Sequence, residues 1–87
     1  MLFFVKANVE FKEMSQDDIQ KLVHKEIEAI HTAKAAGKVV AAYHASEQPQ
    51  VVGIVNVESR AELDQLLADL PMAQVLDWEE ILPVYEL

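Results

Sequence analysis

The sequence contains no cysteine, only 2 glycines and 3 prolines, and only 7 basic residues against 15 acidic ones. Without cysteine there is no disulfide framework, no thiolate nucleophile and no zinc–thiolate site. The formal charge of −8, with no cluster of Lys or Arg, removes a phosphate backbone and an anionic membrane surface from the expected partners. Glycine-rich phosphate loops, nucleophile elbows and His/Asp/Glu groups at metal-ligand spacing are also missing, so no metal is expected. The opening Met1-Leu2-Phe3-Phe4-Val5 stops at Lys6, which is too short for a secretory h-region or a membrane span; a cytoplasmic location is the expectation.

What the chain does have is apolar side chains. They make up 52% of 87 residues, high for a single small domain spanning residues 1–87. Some of that surface is therefore expected to be buried between identical subunits.

Residues 2 to 10 read as a strand, with Phe3, Val5, Ala7 and Val9 on one face and Leu2, Phe4, Lys6, Asn8 and Glu10 on the other. Ser15-Gln16-Asp17-Asp18 opens a helix with an N-cap hydroxyl and first-turn acids. Gly37 closes it in a left-handed C′ position. Val39 to Ala45 forms a second strand whose faces read Val39, Ala41, Tyr43 and Val40, Ala42, His44; its small residues leave room beside larger neighbours. After the polar turn Ser46 to Gln50, Val51 to Val57 is a third strand, pairing with the second as a hairpin, and Gly53 inside it marks a bulge or a close backbone approach. Ser59-Arg60-Ala61-Glu62 is a capping box. It opens a helix with Leu63, Leu66, Leu67 and Leu70 on one side, stopped by Pro71. A last strand runs from Val75 to Leu82.

The order β-α-β-β-α-β predicts a ferredoxin-like α+β fold, a four-stranded antiparallel sheet with two helices on one face. Such a sheet leaves one face and two edges open. Leu76, Trp78 and Leu82, with Leu2 and Phe4, are expected to form an apolar patch on the open face that a second copy covers.

One residue in the first helix violates its pattern. Ile19, Leu22, Val23, Ile27 and Ile30 form an apolar stripe, and at about 100° per residue from Ile19 the carboxylate of Glu26 falls at about 340°, inside it. Burying an unpaired carboxylate costs several kcal/mol. Glu26 therefore either reaches water or a cation at the edge of the stripe, or handles a proton in a pocket.

The other polar candidates are less constrained. His24 and His31 fall off the stripe, at about 140° and 120°, and read as surface or interface residues; Lys25, at about 240°, reads as a solvated charge that can still reach a site at a subunit boundary. Tyr43 and His44 are adjacent in a strand and point to opposite faces, so only one shares a cavity with Glu26 unless an interface wraps around the other. Lys6 is placed to pair with an acid or an anionic ligand, and Asp77 and Glu79 read as solvated.

Several blocks together resemble the muconolactone delta-isomerase family. Met1-Leu2-Phe3-Phe4-Val5-Lys6 is similar to that family's Met-Leu-Phe-His-Val-Arg. Lys25-Glu26 falls at its Arg-Glu or Lys-Glu, and Gly37-Lys38 at its Gly-Lys. Val57-Glu58-Ser59, Glu62-Leu63 and Leu66-Leu67-Ala68-Asp69-Leu70-Pro71 resemble its Val-Glu-Ser, Glu-Leu and Leu-Leu-x-x-Leu-Pro run. The resemblance implies a dimeric α+β barrel, a homo-oligomer, and a small-molecule lactone substrate isomerised by proton transfer without metal or organic cofactor. One group would remove a proton alpha to the carbonyl while donors stabilise the dienolate. Glu26 is the implied base, with Tyr43 and His44 as further catalytic candidates and Lys25 and Lys6 as substrate-binding ones. The chain departs from the family where Val39 replaces a Trp, Tyr43-His44 a Trp-Arg and Phe4 a His. Two further readings accompany the isomerase: another cofactor-free reaction in the same barrel, oxygenation or dehydrochlorination, and a non-catalytic oligomeric binding protein in which Glu26 makes an interface salt bridge.

Overall fold

The computed structural model describes all 87 residues. Six main elements follow one another: β1 (Leu2–Val9), α1 (Gln16–Ala35), β2 (Val39–His44), β3 (Gln50–Asn56), α2 (Arg60–Ala68) and β4 (Leu76–Val84), with a 3-10 turn at Ala73–Val75 before the last strand. The sheet order is β2-β3-β1-β4, every neighbouring pair antiparallel. This is the expected ferredoxin-like arrangement, with β2 and β4 as its edges.

Local chemistry sets the helix ends. The Ser15 hydroxyl accepts from the Asp18 N–H at 3.2 Å, and the Ser59 hydroxyl from the Glu62 N–H at 3.1 Å, each satisfying one of the donors a helix start leaves free. Glu62 reaches back to the Glu58 N–H at 3.2 Å. At the far end of α1, Gly37 takes φ +78°, while its N–H donates to the Lys34 carbonyl and that of Lys38 to the Ala33 carbonyl. Those two bonds make a Schellman motif, which turns the chain directly into β2.

The helix-facing side of the sheet carries two apolar clusters. Phe3, Val5, Val55 and Val57 pack with Leu63 and Leu67 of α2. Val9, Met72 and Val75 form the second, against which Leu22 and Val23 of α1 and Val51 of β3 pack. The remainder of α1 is less covered than its stripe predicts. None of its residues is buried, and Ile27 is 49% exposed. The helix packs on the second cluster through Leu22 and Val23, and the turns that follow border a cavity instead of packing into either cluster.

Two register shifts correct the expected faces. In β2, Val39 pairs with Val55 but Ala41 pairs with Ile54, so Val40 is an extra residue. Residues directly opposite each other share a face. Val39, Ala42 and His44, opposite Val55, Gly53 and Val51, therefore face the helices, and Ala41 and Tyr43 face away. In β4, Val5 pairs with Ile81 and Ala7 with Trp78, again with an extra residue between them. Leu76 and Trp78 thus join the helix-side clusters rather than the open face, where Leu82 lies opposite Phe4. An inserted residue reverses the alternation beyond it, and strict period-2 reading cannot see that.

Gly53 sits against the bulge. A Cβ there would meet the Ala41 carbonyl oxygen at 3.3 Å and Val5 at 3.5 Å, so the close approach expected from this glycine is a backbone one.

Candidate functional site

Where α1 stands off the sheet it roofs a cavity of about 260 Å³. Its floor is helix-side sheet surface made shallow by Ala42 and Gly53, its roof is Ile27 and Ile30, and its inner end is Leu66, Leu70 and Met72. The lining is mainly hydrophobic, and the volume falls just below the roughly 300–1,000 Å³ of drug-sized ligand sites. It suits a small organic molecule.

Glu26 stands at the inner end. Met72 donates its backbone N–H to Glu26 Oε1 at 3.0 Å. This N–H is free because α2 has already ended at Ala68, with Asp69 as its C-cap, and Met72 is the N-cap of the 3-10 turn, a position that leaves a donor without a backbone acceptor. Glu26 makes no ion pair. Oε2 has no hydrogen-bond partner, and it is not among buried unsatisfied atoms, so it reaches open space. Burial raises the Glu26 pKa above the ordinary carboxylate value of 4.5, and the Met72 N–H opposes the shift by favouring the anion. One oxygen is held; the other is free.

Of the other sequence candidates, His44 and Tyr43 border the cavity on the β2 side. The β2 bulge makes His44 the helix-facing one, while Tyr43, 68% exposed, points to the open face. His44 Nδ1 lies 2.7 Å from the Ala45 carbonyl oxygen. A carbonyl only accepts, so Nδ1 carries the proton, and the Nε2 of the neutral ring is an acceptor.

Lys25 and Lys6 are not brought to the cavity within this chain. Lys25 is exposed on the outer side of α1. Lys6 lies on the open face, 3.8 Å from Glu79, which also receives a hydrogen bond from Gln50 at 3.4 Å. Glu79 is thus paired rather than merely solvated. No group of three or more His, Asp or Glu side chains is placed to hold a metal ion.

Two further polar residues line the cavity: Lys34, which the sequence reading did not single out, and His31, which it placed at the surface or an interface. The signal for Lys34 was present, since at about 100° per residue it falls at about 60°, inside the apolar stripe between Val23 and Ile27. His31 lies just outside that stripe. It reaches the cavity because the raised helix exposes its flank to the site as well as to solvent.

Fold and cavity together define the class: a ferredoxin-like α+β protein with an apolar, small-molecule-sized site that contains an unpaired, half-buried carboxylate. The family model for muconolactone delta-isomerase matches residues 1–86, and the chain belongs to that family. The crystal structure of muconolactone isomerase superposes with a TM-score of 0.88 at 22% identity, covering 100% of this chain and 91% of that one; at this identity the likeness shows the fold. Comparison with curated proteins gives no match. No helix is long and apolar enough to cross a membrane.

Proposed function

We propose that this protein is a cofactor-independent isomerase that moves a proton within a small unsaturated lactone, muconolactone being the first compound to test. Membership of the family supports the reaction type. The observation that carries the site assignment is Glu26, with Oε1 fixed by the Met72 N–H at 3.0 Å and Oε2 unpartnered beside an apolar cavity.

The chemistry needs one group that takes a proton from one end of a three-carbon carbonyl-conjugated system and returns it two carbons away, through a dienolate. A carboxyl group whose pKa is raised by burial is better matched to both halves than an ordinary one: more basic toward the proton it accepts, and still acid enough to give it back. Holding one oxygen restricts the group to a short swing above the ligand. His44 borders the cavity on the β2 side and is the second residue to test.

We also propose a homo-oligomer formed over the open face. Leu2 and Phe4 of β1, Ile54 and Val52 of β3, Tyr43 of β2 and Leu82 of β4 share that face by register. Leu82 and Tyr43 are among the exposed large apolar groups. A second copy is the partner this surface fits, giving the dimeric α+β barrel.

The test is to incubate the protein with muconolactone and follow enol-lactone formation by ultraviolet absorbance, for wild type and Glu26→Gln. Turnover is expected to fall by about 10²–10⁴, the usual contribution of a positioned acid–base group. Equal rates in the two proteins overturn the base assignment, and no turnover by wild type overturns the reaction.

A further inference from the structure

We propose that the indole N–H of Trp78 is the hydrogen-bond donor to the carbonyl oxygen of the molecule that Glu26 deprotonates. This rests on reading the cavity as the substrate site and adds a group that holds the charge Glu26 pushes onto oxygen.

Trp78 reaches the cavity wall only through the bulge in β4. Val5 pairs with Ile81 and Lys6 with Glu80, so unbroken alternation would set Glu79 opposite Ala7, and Trp78 opposite Asn8 on the open face. The extra residue puts Trp78 opposite Ala7 instead and releases Glu79 to the open face, where it lies 3.8 Å from Lys6. Bulges beside sites re-aim a side chain. This one exchanges a carboxylate for an indole on the helix side, and Ala7, fully buried with only a methyl group, leaves room for it above β1.

The position matches Glu26. Met72, whose N–H holds Glu26 Oε1 at 3.0 Å, opens the 3-10 turn that runs directly into β4, and this brings Trp78 and Glu26 to the same end of the cavity. The indole N–H enters none of the side-chain hydrogen bonds of the chain. It is not among buried polar atoms without a partner either, so it opens onto accessible space. A tryptophan packed against a core usually finds a partner for that N–H. Here an unpartnered donor and the unpartnered Oε2 of Glu26 border one cavity, the pair that a carbonyl compound with an acidic α C–H satisfies.

The other polar wall groups are placed differently. His44 lies three strands from Trp78 through Ala7 and Val51, about 14 Å away, and its free nitrogen accepts; Tyr43 points to the open face. His31 and Lys34 stand about 7.5 and 12 Å further along α1, whereas the Glu26 side chain leans toward the helix N-terminus, away from both.

In the step itself Glu26 takes the α proton, the C–H electron pair becomes the new C=C bond, and the carbonyl pair moves to oxygen. The indole keeps its proton and donates a hydrogen bond to that oxygen, a bond that strengthens as the charge forms. The proton then returns two carbons away and the carbonyl re-forms.

Trp78 is the single tryptophan, so incorporation of β-(benzothiophen-3-yl)alanine replaces this N–H by sulfur and alters nothing else in the chain. The kcat for muconolactone is expected to fall about 10²-fold, as for the loss of one oxyanion donor, with KM and the urea midpoint by circular dichroism unchanged. Unchanged kcat, or a fall in kcat accompanied by a lower midpoint, overturns the proposal. A second measurement needs no turnover. In protein labelled with nitrogen-15, the indole N–H resonance should move downfield as γ-butyrolactone is added, in wild type and Glu26→Gln alike, and not with cyclopentane, which has the ring but no carbonyl. No downfield move with the lactone, or the same move with both compounds, overturns the proposal. If the resonance moves as expected but wild type turns over no muconolactone, the donor stands and the isomerase reading fails.

Discussion

Glu26 links stability, pH and chemistry through one hydrogen bond, and two substitutions separate these effects. Glu26→Gln keeps an acceptor for the Met72 N–H and removes the charge. Glu26→Leu removes the acceptor and leaves an apolar side chain of similar size in its place. Met72 is only 6% exposed, so the stranded N–H should cost about 1–3 kcal/mol. Half-burying a leucine returns about 1 kcal/mol. The Gln variant should therefore be the more stable of the two by about 1 kcal/mol, the middle of a range of about 0–2, against the roughly 5–15 kcal/mol typical of a domain. With a urea slope of about 1 kcal/mol/M for a small protein, the midpoints should differ by about 1 M.

The pH dependence of wild type against Glu26→Gln has a definite sign. Burial raises the folded-state pKa of Glu26 above 4.5, so the folded protein holds this proton more tightly than the unfolded chain. The resulting stabilisation is complete below the unfolded value and is lost as pH rises through the folded value. Wild type should match Glu26→Gln at acid pH and fall below it at about pH 8. Trp78, the single tryptophan, packs against the core and reports unfolding by fluorescence. Identical urea midpoints for Gln and Leu would show that residue 26 does not hold the Met72 N–H. A wild-type advantage that grows with pH would refute the desolvation argument.

The remaining predictions address other parts of the molecule. The rate of lactone isomerisation should fall as pH drops through the Glu26 pKa, with the midpoint above the ordinary carboxylate value, and a pH–rate profile checks this. Gly53→Ala should destabilise by about 1 kcal/mol, because the added Cβ crowds the Ala41 backbone oxygen rather than a flexible side chain; chemical denaturation measures it. Leu63→Ala should cost about 2–5 kcal/mol, since Leu63 is fully enclosed between α2 and the sheet. Ile54→Lys should reduce the mass of the particle in light scattering while leaving the far-ultraviolet circular dichroism unchanged, because it charges the open face without touching either helix-side cluster.

Much of the architecture was readable residue by residue because its determinants are local. Ser15 and Ser59 start helices by bonding to N–H groups three residues on, and Gly37 ends one by adopting a positive φ; α2 stops at Ala68, short of the Pro71 expected to end it. The anomalous place of Glu26 was equally visible, since helical periodicity depends only on spacing within α1. Tertiary structure decided the rest. The two bulges arise from fitting neighbouring strands together, and each exchanges the faces of residues beyond it; neither the turning of His44 toward the helices nor the removal of Trp78 from the open face follows from alternation. The partner of Glu26 is a backbone N–H 46 residues away, a group that every non-proline residue has and that carries no side-chain signature. Lys34 and His31 became cavity walls only because α1 packs on the second cluster through Leu22 and Val23 and leaves a cavity beneath the turns that follow. Short-range spacing set the face on which Glu26 lies; the long-range meeting of α1, the sheet and the Met72 turn gave that face a cavity and the carboxylate a donor.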